Sequence, residues 1–280
     1  MNKISKLSIF IIPLVIILIL ASCSNDQTNK IVESNYDSKH QVRKINVWDV
    51  LAIVSADAAG GYEVGKIGAG LGAVLGGPQG AGVGAVIGAL VGGCGASYAT
   101  AYGLGLIEQV AINPATSPWD TTFVGIDSIG YLHNQLCNHL VQNIPVNLDC
   151  TINYTQVYNL SVAFFESRGI DSVEYYLPYS QFINAILPLV EDIIYDPTSN
   201  NIKDIYSDIC DDLILSNYHD NMINELYLEN PINLTSINII IDYQDNIGSL
   251  NLSGIPLQNT SMMYSIYKYS FALWFNNFSE

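Results

Sequence analysis

Residues 68–92 read GAGLGAVLGGPQGAGVGAVIGALVG, and a glycine falls on every fourth position: Gly68, Gly72, Gly76, Gly80, Gly84, Gly88 and Gly92. Ala96 and Thr100 continue the row with small residues. A four-residue period marks one face of a helix. Each glycine costs a helix about 1 kcal/mol relative to alanine, so a whole face of glycine predicts that another backbone comes close there. Gly76-Gly77-Pro78 interrupts the row. Proline disfavours helix at the residue before it and suits the first turn of the helix after it. The stretch therefore predicts a helical hairpin whose row glycines are helix-packing positions, with Gly84 and Gly88 the points of closest approach.

Both arms extend beyond the row. Val47, Trp48, Val50, Leu51, Ile53 and Val54 open the first arm with helical periodicity, and Ala56 to Leu75 carries charge at Asp57, Glu63 and Lys66. Glu63 and Lys66 stand at i, i+3 and can pair. The second arm, Gln79 to Leu106, is uncharged until Glu108. Ala81, Ala85, Ala89 and Gly93 lie beside its glycines, with Val83, Val86, Ile87, Leu90 and Val91 opposite. At 1.5 Å per residue it reaches about 40 Å, enough for a bilayer core of about 30 Å. Small-xxx-small faces let membrane helices approach closely, and the region resembles the glycine-zipper segments of bacterial envelope proteins and some membrane-active peptides. Two readings compete: insertion into a bilayer, or burial as a core hairpin under the helices that follow. An ionised group at mid-bilayer costs about 2.5 to 3.5 kcal/mol, so the first arm's charges favour the core hairpin. Self-association through the glycine face is a third arrangement.

The address lies upstream. Lys3 and Lys6 precede an apolar run from Leu7 to Leu20, which ends on Leu20-Ala21-Ser22-Cys23. This resembles a bacterial lipoprotein signal with its lipobox, and implies cleavage before Cys23, lipidation of that cysteine and membrane attachment through the lipid. Removing residues 1–22 takes away two lysines and no acid, moving the formal charge from −16 to −18. So acidic a chain is repelled by nucleic acid and by anionic headgroups. Ser24 follows the cysteine, where an inner-membrane lipoprotein typically has aspartate, so the resemblance implies an outer-membrane location. Ser24 to Lys44 is polar and without hydrophobic periodicity, a flexible tether.

From Ala111 the composition turns to Asn, Asp, Ile, Leu and Tyr, with Asn113-Pro114 to Pro118 as the boundary. Helical patterns recur at Ile126, Ile129, Leu132, Leu136 and Leu140, at Val157, Leu160, Phe164 and Phe165, at Ile183, Ile186, Leu187 and Val190, and at Ile205, Ile209 and Leu213. Asp196-Pro197-Thr198 and Asn230-Pro231 suit helix starts. Leu234 to Tyr243 alternates as a strand does, yet reads as helix. The 18 tyrosines and the Met262 to Phe275 stretch supply packing, with the phenol groups expected near the surface where their hydroxyls are solvated. The fold class is mainly α: a glycine-rich helical hairpin plus a C-terminal multi-helix domain. The divisions are 1–22 signal peptide, 23–44 lipidated cysteine and tether, 45–110 hairpin, and 111–280 helical domain.

Chemistry-bearing motifs are few. Gly130-Tyr131-Leu132-His133-Asn134 stands out, and with the lipobox and hairpin it loosely resembles uncharacterised bacterial envelope lipoproteins. His133 and Cys137 share a helical face at i, i+4, a spacing open to a metal or to a base and thiol. The favoured reading is a histidine and an asparagine fixing a helix junction by hydrogen bonds. Cys94, Cys137, Cys150 and Cys210 allow three disulfide connectivities. Cys137 with Cys150 is the preferred bridge, and Cys94 in the glycine row reads as a lone free thiol. Asp204, Asp208 and Asp212 form an acidic stripe read as a solvated face, and Glu191 and Asp192 lack a partner for acid–base work. The chain has no G-x-S-x-G, Walker A or H-E-x-x-H run.

The reading that follows is a non-enzymatic, lipid-anchored envelope protein with a structural or interaction role, without cofactor, metal or nucleic-acid partner. The alternative is a membrane-active, bacteriocin-like or pore-forming glycine-zipper protein.

Overall fold

The structure, a computed structural model, describes residues 47–107, 127–144, 152–171, 173–210, 212–229, 233 and 236–278. The lipobox with Cys23, the tether, the Asn113 to Pro118 boundary, Cys150 and Asn230-Pro231 lie outside the described residues.

Among the described residues the secondary structure is helical throughout, with no strand. The first element, α1 (Val47–Gly103), is two helices joined at a sharp bend. Gly76 and Gly77 leave helical geometry there, and Gly77 adopts φ 60°, ψ −145°, a conformation that suits glycine. Pro78 then opens the second arm. The arms run back antiparallel in a register that the glycines define. A methyl group added to Gly68 would run into the Gly84 backbone, one on Gly72 into Gly80, one on Gly88 into Val64, and one on Gly60 would lie 2.6 Å from the Gly92 carbonyl oxygen. The clashes of Gly68 with Gly84 and of Gly72 with Gly80 are reciprocal, so the Cα–H of each faces its partner's carbonyl. Such contacts are worth about 0.5 to 1 kcal/mol each, which partly offsets the helix cost of glycine.

Gly76 differs from the other row glycines: nothing lies within 4 Å of where its Cβ would stand. Its place is the bend and not the packed face, because antiparallel arms diverge around the residue at the fold-back point.

The helices that follow are α2 (Asp127–Asn143), α3 (Tyr154–Glu166), α4 (Val173–Tyr176), α5 (Tyr179–Tyr195), α6 (Ser199–Ile209), α7 (Leu213–Leu228), α8 (Ile237–Asp245) and α9 (Gly254–Phe278). Asn153, Thr198 and Asp212 cap α3, α6 and α7 by accepting from the backbone N–H groups of Gln156, Asn201 and Ile214. The strand-like Ile237, Ile239 and Ile241 belong to α8, where Ile237 and Ile240 face inward. The long α9 lies along the hairpin, α2 packs on both, and α5 packs on the second arm. Gly95 and Gly103 make room there for Phe182 and Ile194. One hydrophobic core joins Leu51, Leu90, Leu136, Phe165, Phe182 and Trp274, so the hairpin and the C-terminal helices share their interior.

α1 is long and apolar enough to cross a membrane, but 83% of its most apolar stretch is buried inside the protein. The tyrosines correct another expectation. Tyr98, Tyr206, Tyr264, Tyr267 and Tyr269 are among the largest fully buried side chains. Internal partners replace water for several hydroxyls: Tyr206 donates to the Ser55 carbonyl (3.1 Å), Tyr267 meets Ser55 Oγ (3.0 Å) and Tyr264 meets His219 Nδ1 (3.0 Å).

Candidate functional site

A buried polar cluster forms where both hairpin arms, α2 and α9 converge. Asp57 comes from the first arm, Cys94 and Ser97 from the second, His133, Asn134 and Cys137 from α2, and Ser270 and Trp274 from α9. None is more than 5% exposed. Gly130 lets α2 settle onto α9, since a methyl there would overlap the Tyr269 ring and the Ser265 carbonyl, and its N–H donates to Ser265 Oγ (3.1 Å). Gly93 leaves room for the imidazole, its absent Cβ lying 3.2 Å from His133 Cδ2. The G-x-x-H-N run is thus a junction: its glycine admits α9, its histidine reaches the hairpin, and its asparagine returns to α9.

Hydrogen bonds assign the protons. Asn134 Nδ2 donates to the Tyr269 carbonyl (3.0 Å), which turns Asn134 Oδ1 toward His133 Nδ1 (3.2 Å). His133 Nε2 lies 2.7 Å from Asp57 Oδ1. Asp57 Oδ2 accepts from Ser270 Oγ in a short bond and from Trp274 Nε1 (3.3 Å). Both imidazole nitrogens therefore face acceptors and the carboxylate faces only donors, the pattern of an imidazolium–carboxylate pair. Burial by itself pushes the imidazole down, but Asp57 and then Cys137 outweigh it and hold His133 well above the ordinary histidine value.

The thiols complete the cluster. Cys94 and Cys137 have their sulfurs 3.1 Å apart, and Cys137 Sγ lies 3.5 Å from His133 Nε2 and 3.6 Å from Ser97 Oγ. Cys94 is a buried free thiol, as its sequence reading has it, but not a lone one: Cys137, also free, shares its face of the junction. With both thiols protonated, Cys94 donates to the His133 carbonyl (3.1 Å) and Cys137 to the Cys94 sulfur. Burial raises the Cys137 thiol, but once it ionises the Cys94 S–H can turn to donate to its thiolate, and that bond and then the His133 charge bring it down to about 7. Burial and then Cys137 push Cys94 well above its ordinary value.

Two chemistries can be weighed against this geometry. A relay of nucleophile, base and orienting acid uses opposite nitrogens of the histidine, whereas Cys137 and Asp57 both lie nearest Nε2. Cys94, His133 and Cys137 also bring potential metal-ligand atoms within 4.8 Å of one another. His133 Nε2 is engaged by Asp57 (2.7 Å) and Nδ1 faces Asn134 Oδ1 (3.2 Å), so a metal here would have to displace one of these bonds. The arrangement as it stands joins helices.

Sequence reasoning brought together His133, Asn134 and Cys137 and missed Asp57, Ser270 and Trp274. Of the other candidates, Asp204, Asp208 and Asp212 are exposed, and Asp212 caps α7. Glu191 and Asp192 are exposed on α5. Lys66 pairs with Glu63 (3.4 Å) and donates to the Ile209 carbonyl (2.8 Å).

A second feature lies at the hairpin tip. Val74 is 85%, Leu75 55% and Val83 44% exposed, on a turn with no charged residue between Lys66 and Glu108. Comparison with protein-family models, curated proteins and solved structures finds no match to this chain.

Proposed function

We propose that this protein is a non-enzymatic, lipid-anchored component of the cell envelope, attached through Cys23 to the outer membrane, with a structural or interaction role at the bilayer surface. The hairpin is its internal scaffold and the hairpin tip its point of contact with lipid. The observation that carries the reading is the division of labour within α1. Its glycine faces are consumed by each other and its flanks by α2, α5 and α9, while the uncharged tip offers Val74, Leu75 and Val83 to the outside. A chain of net charge −16 is otherwise repelled by anionic headgroups, so an uncharged apolar tip is the surface fitted to approach them. The buried Asp57–His133 pair joins the hairpin to α2.

The test is extraction of membranes with carbonate and with salt, comparing the parent with Cys23→Ala carrying a cleavable secretory signal. The expected outcome is release of Cys23→Ala as a folded soluble protein that still floats weakly with vesicles. Retention after carbonate would instead support the second reading, a membrane-active hairpin. The length and apolar character of α1 favour that alternative, which also predicts that a peptide spanning Ile67 to Leu106 permeabilises vesicles.

A further inference from the structure

The junction contains a pair that the ionic cluster does not require. Cys94 and Cys137 come from different helices, the second arm and α2, with their sulfurs 3.1 Å apart. Two thiolates on one tetrahedral zinc stand about 3.8 Å apart, so these sulfurs are closer than a shared metal would hold them. The nearest nitrogen, His133 Nε2, is engaged by Asp57 at 2.7 Å.

We propose that Cys94 and Cys137 are a disulfide-forming pair that locks the glycine hairpin to α2. The reaction is thiol–disulfide exchange with a small disulfide oxidant. Cys137, as the thiolate, attacks one sulfur of the oxidant, forming a mixed disulfide and releasing one thiolate. Cys94 then gives up its proton and attacks Cys137 Sγ, forming the Cys94–Cys137 bond and releasing the second thiolate. Two cysteine thiols are oxidised, one oxidant disulfide is reduced to two thiols, and the two protons pass to the released thiolates. His133 stands one turn before Cys137 on α2 itself, so the two stay neighbours before docking, and while His133 is protonated it favours Cys137 as the attacking sulfur. Cys94 is 0% and Cys137 1% exposed, so exchange occurs before α2 docks on the hairpin, and docking then shields the bond from reductant. In the cell the oxidant depends on the envelope location proposed above; the chemistry itself does not.

The experiment unfolds and refolds the purified full chain in oxidised glutathione, in reduced glutathione, and in reduced glutathione with zinc. Each sample is then denatured, alkylated, digested and analysed by mass. The expected result is a crosslinked peptide pair, two hydrogens lighter, joining Cys94 to Cys137 in the oxidised sample only. Its melting temperature should lie about 10 °C above that of the reduced protein, the size expected for closing a loop of this length. Cys94→Ala and Cys137→Ala should each lose the crosslink and the difference between oxidised and reduced melting. The proposal is overturned if both cysteines are alkylated after oxidative refolding, if either pairs instead with Cys150 or Cys210, or if protection follows stoichiometric zinc and not the oxidant. These results leave the membrane reading untouched, since carbonate extraction tests it separately.

Discussion

Asp57 Oδ1 and His133 Nε2 meet at 2.7 Å in the interior, both side chains fully removed from solvent. The remaining acceptor and donor atoms of each are engaged by Ser270, Trp274 and Asn134. A buried pair satisfied in this way gains little over an apolar replacement but leaves a costly orphan when one member is removed.

Asp57→Asn should therefore destabilise the protein by about 3 to 5 kcal/mol, read as a lowered urea midpoint at unchanged slope. The double variant Asp57→Asn with His133→Gln should recover part of that loss, because it leaves no unpaired charge. A double variant as unstable as the sum of the singles would mean the two residues do not act as a pair.

The two buried histidines predict opposite pH dependences. His219 lies between Tyr206 and Tyr264 with ring centroids 4.9 and 5.2 Å away, and burial lowers its value from 6.5 to about 3. The unfolded chain takes up a proton at this residue before the native state does. The stabilisation is present above about pH 6.5 and is lost toward pH 3 by about 1.4 kcal/mol per unit. His133 is raised instead, so its contribution is present below about pH 6.5 and falls as pH rises toward its folded value. His219→Phe should flatten the acid limb of stability against pH while costing about 1 kcal/mol at neutral pH for the Tyr264 hydroxyl it leaves unpaired. An unchanged acid limb would assign that limb to other groups.

Glycine substitutions should divide by position. Gly84→Leu and Gly88→Leu force side chains into the backbone of the facing arm, and overpacking on that scale should abolish folding by circular dichroism. Gly70 has open space where its Cβ would be, so Gly70→Ala should gain about 1 kcal/mol from helix propensity. Equal tolerance at Gly70 and Gly84 would mean the arms do not touch as described.

At the tip, Val74→Asp and Leu75→Asp should leave thermal stability unchanged, since both side chains are exposed. In flotation assays with phosphatidylcholine vesicles, the non-lipidated protein carrying both changes should lose its residual association. Unchanged flotation would remove the tip from the proposed membrane contact.

How much of this was legible in the sequence follows from the range of the forces involved. The hairpin was readable because its signal is local: a four-residue glycine period, a Gly-Gly-Pro break and an uncharged second arm constrain neighbouring residues directly. The G-x-x-H-N junction was half legible, since the i, i+4 spacing puts His133 and Cys137 on one face without naming the element that face meets. Asp57 read as an ordinary charge in an apolar arm, and Cys94 as an alanine-sized filler. Their partners stand 76 and 43 residues away, and no pattern in the chain encodes which turn of α2 docks against which turn of the hairpin.

Sequence alone thus determined the helical class, the fold-back at Gly76-Gly77 and the acidic character of the chain, because propensity, periodicity and charge act over a few residues or over the whole composition. Tertiary structure decided that the glycine faces meet within one chain, that Tyr98, Tyr206, Tyr264, Tyr267 and Tyr269 go inside, and that Asp57, Cys94, His133 and Cys137 meet. Close packing, not local preference, selects those partners: the register in which the two arms touch backbone to backbone carries Asp57 and Cys94 to the place where α2 brings His133 and Cys137.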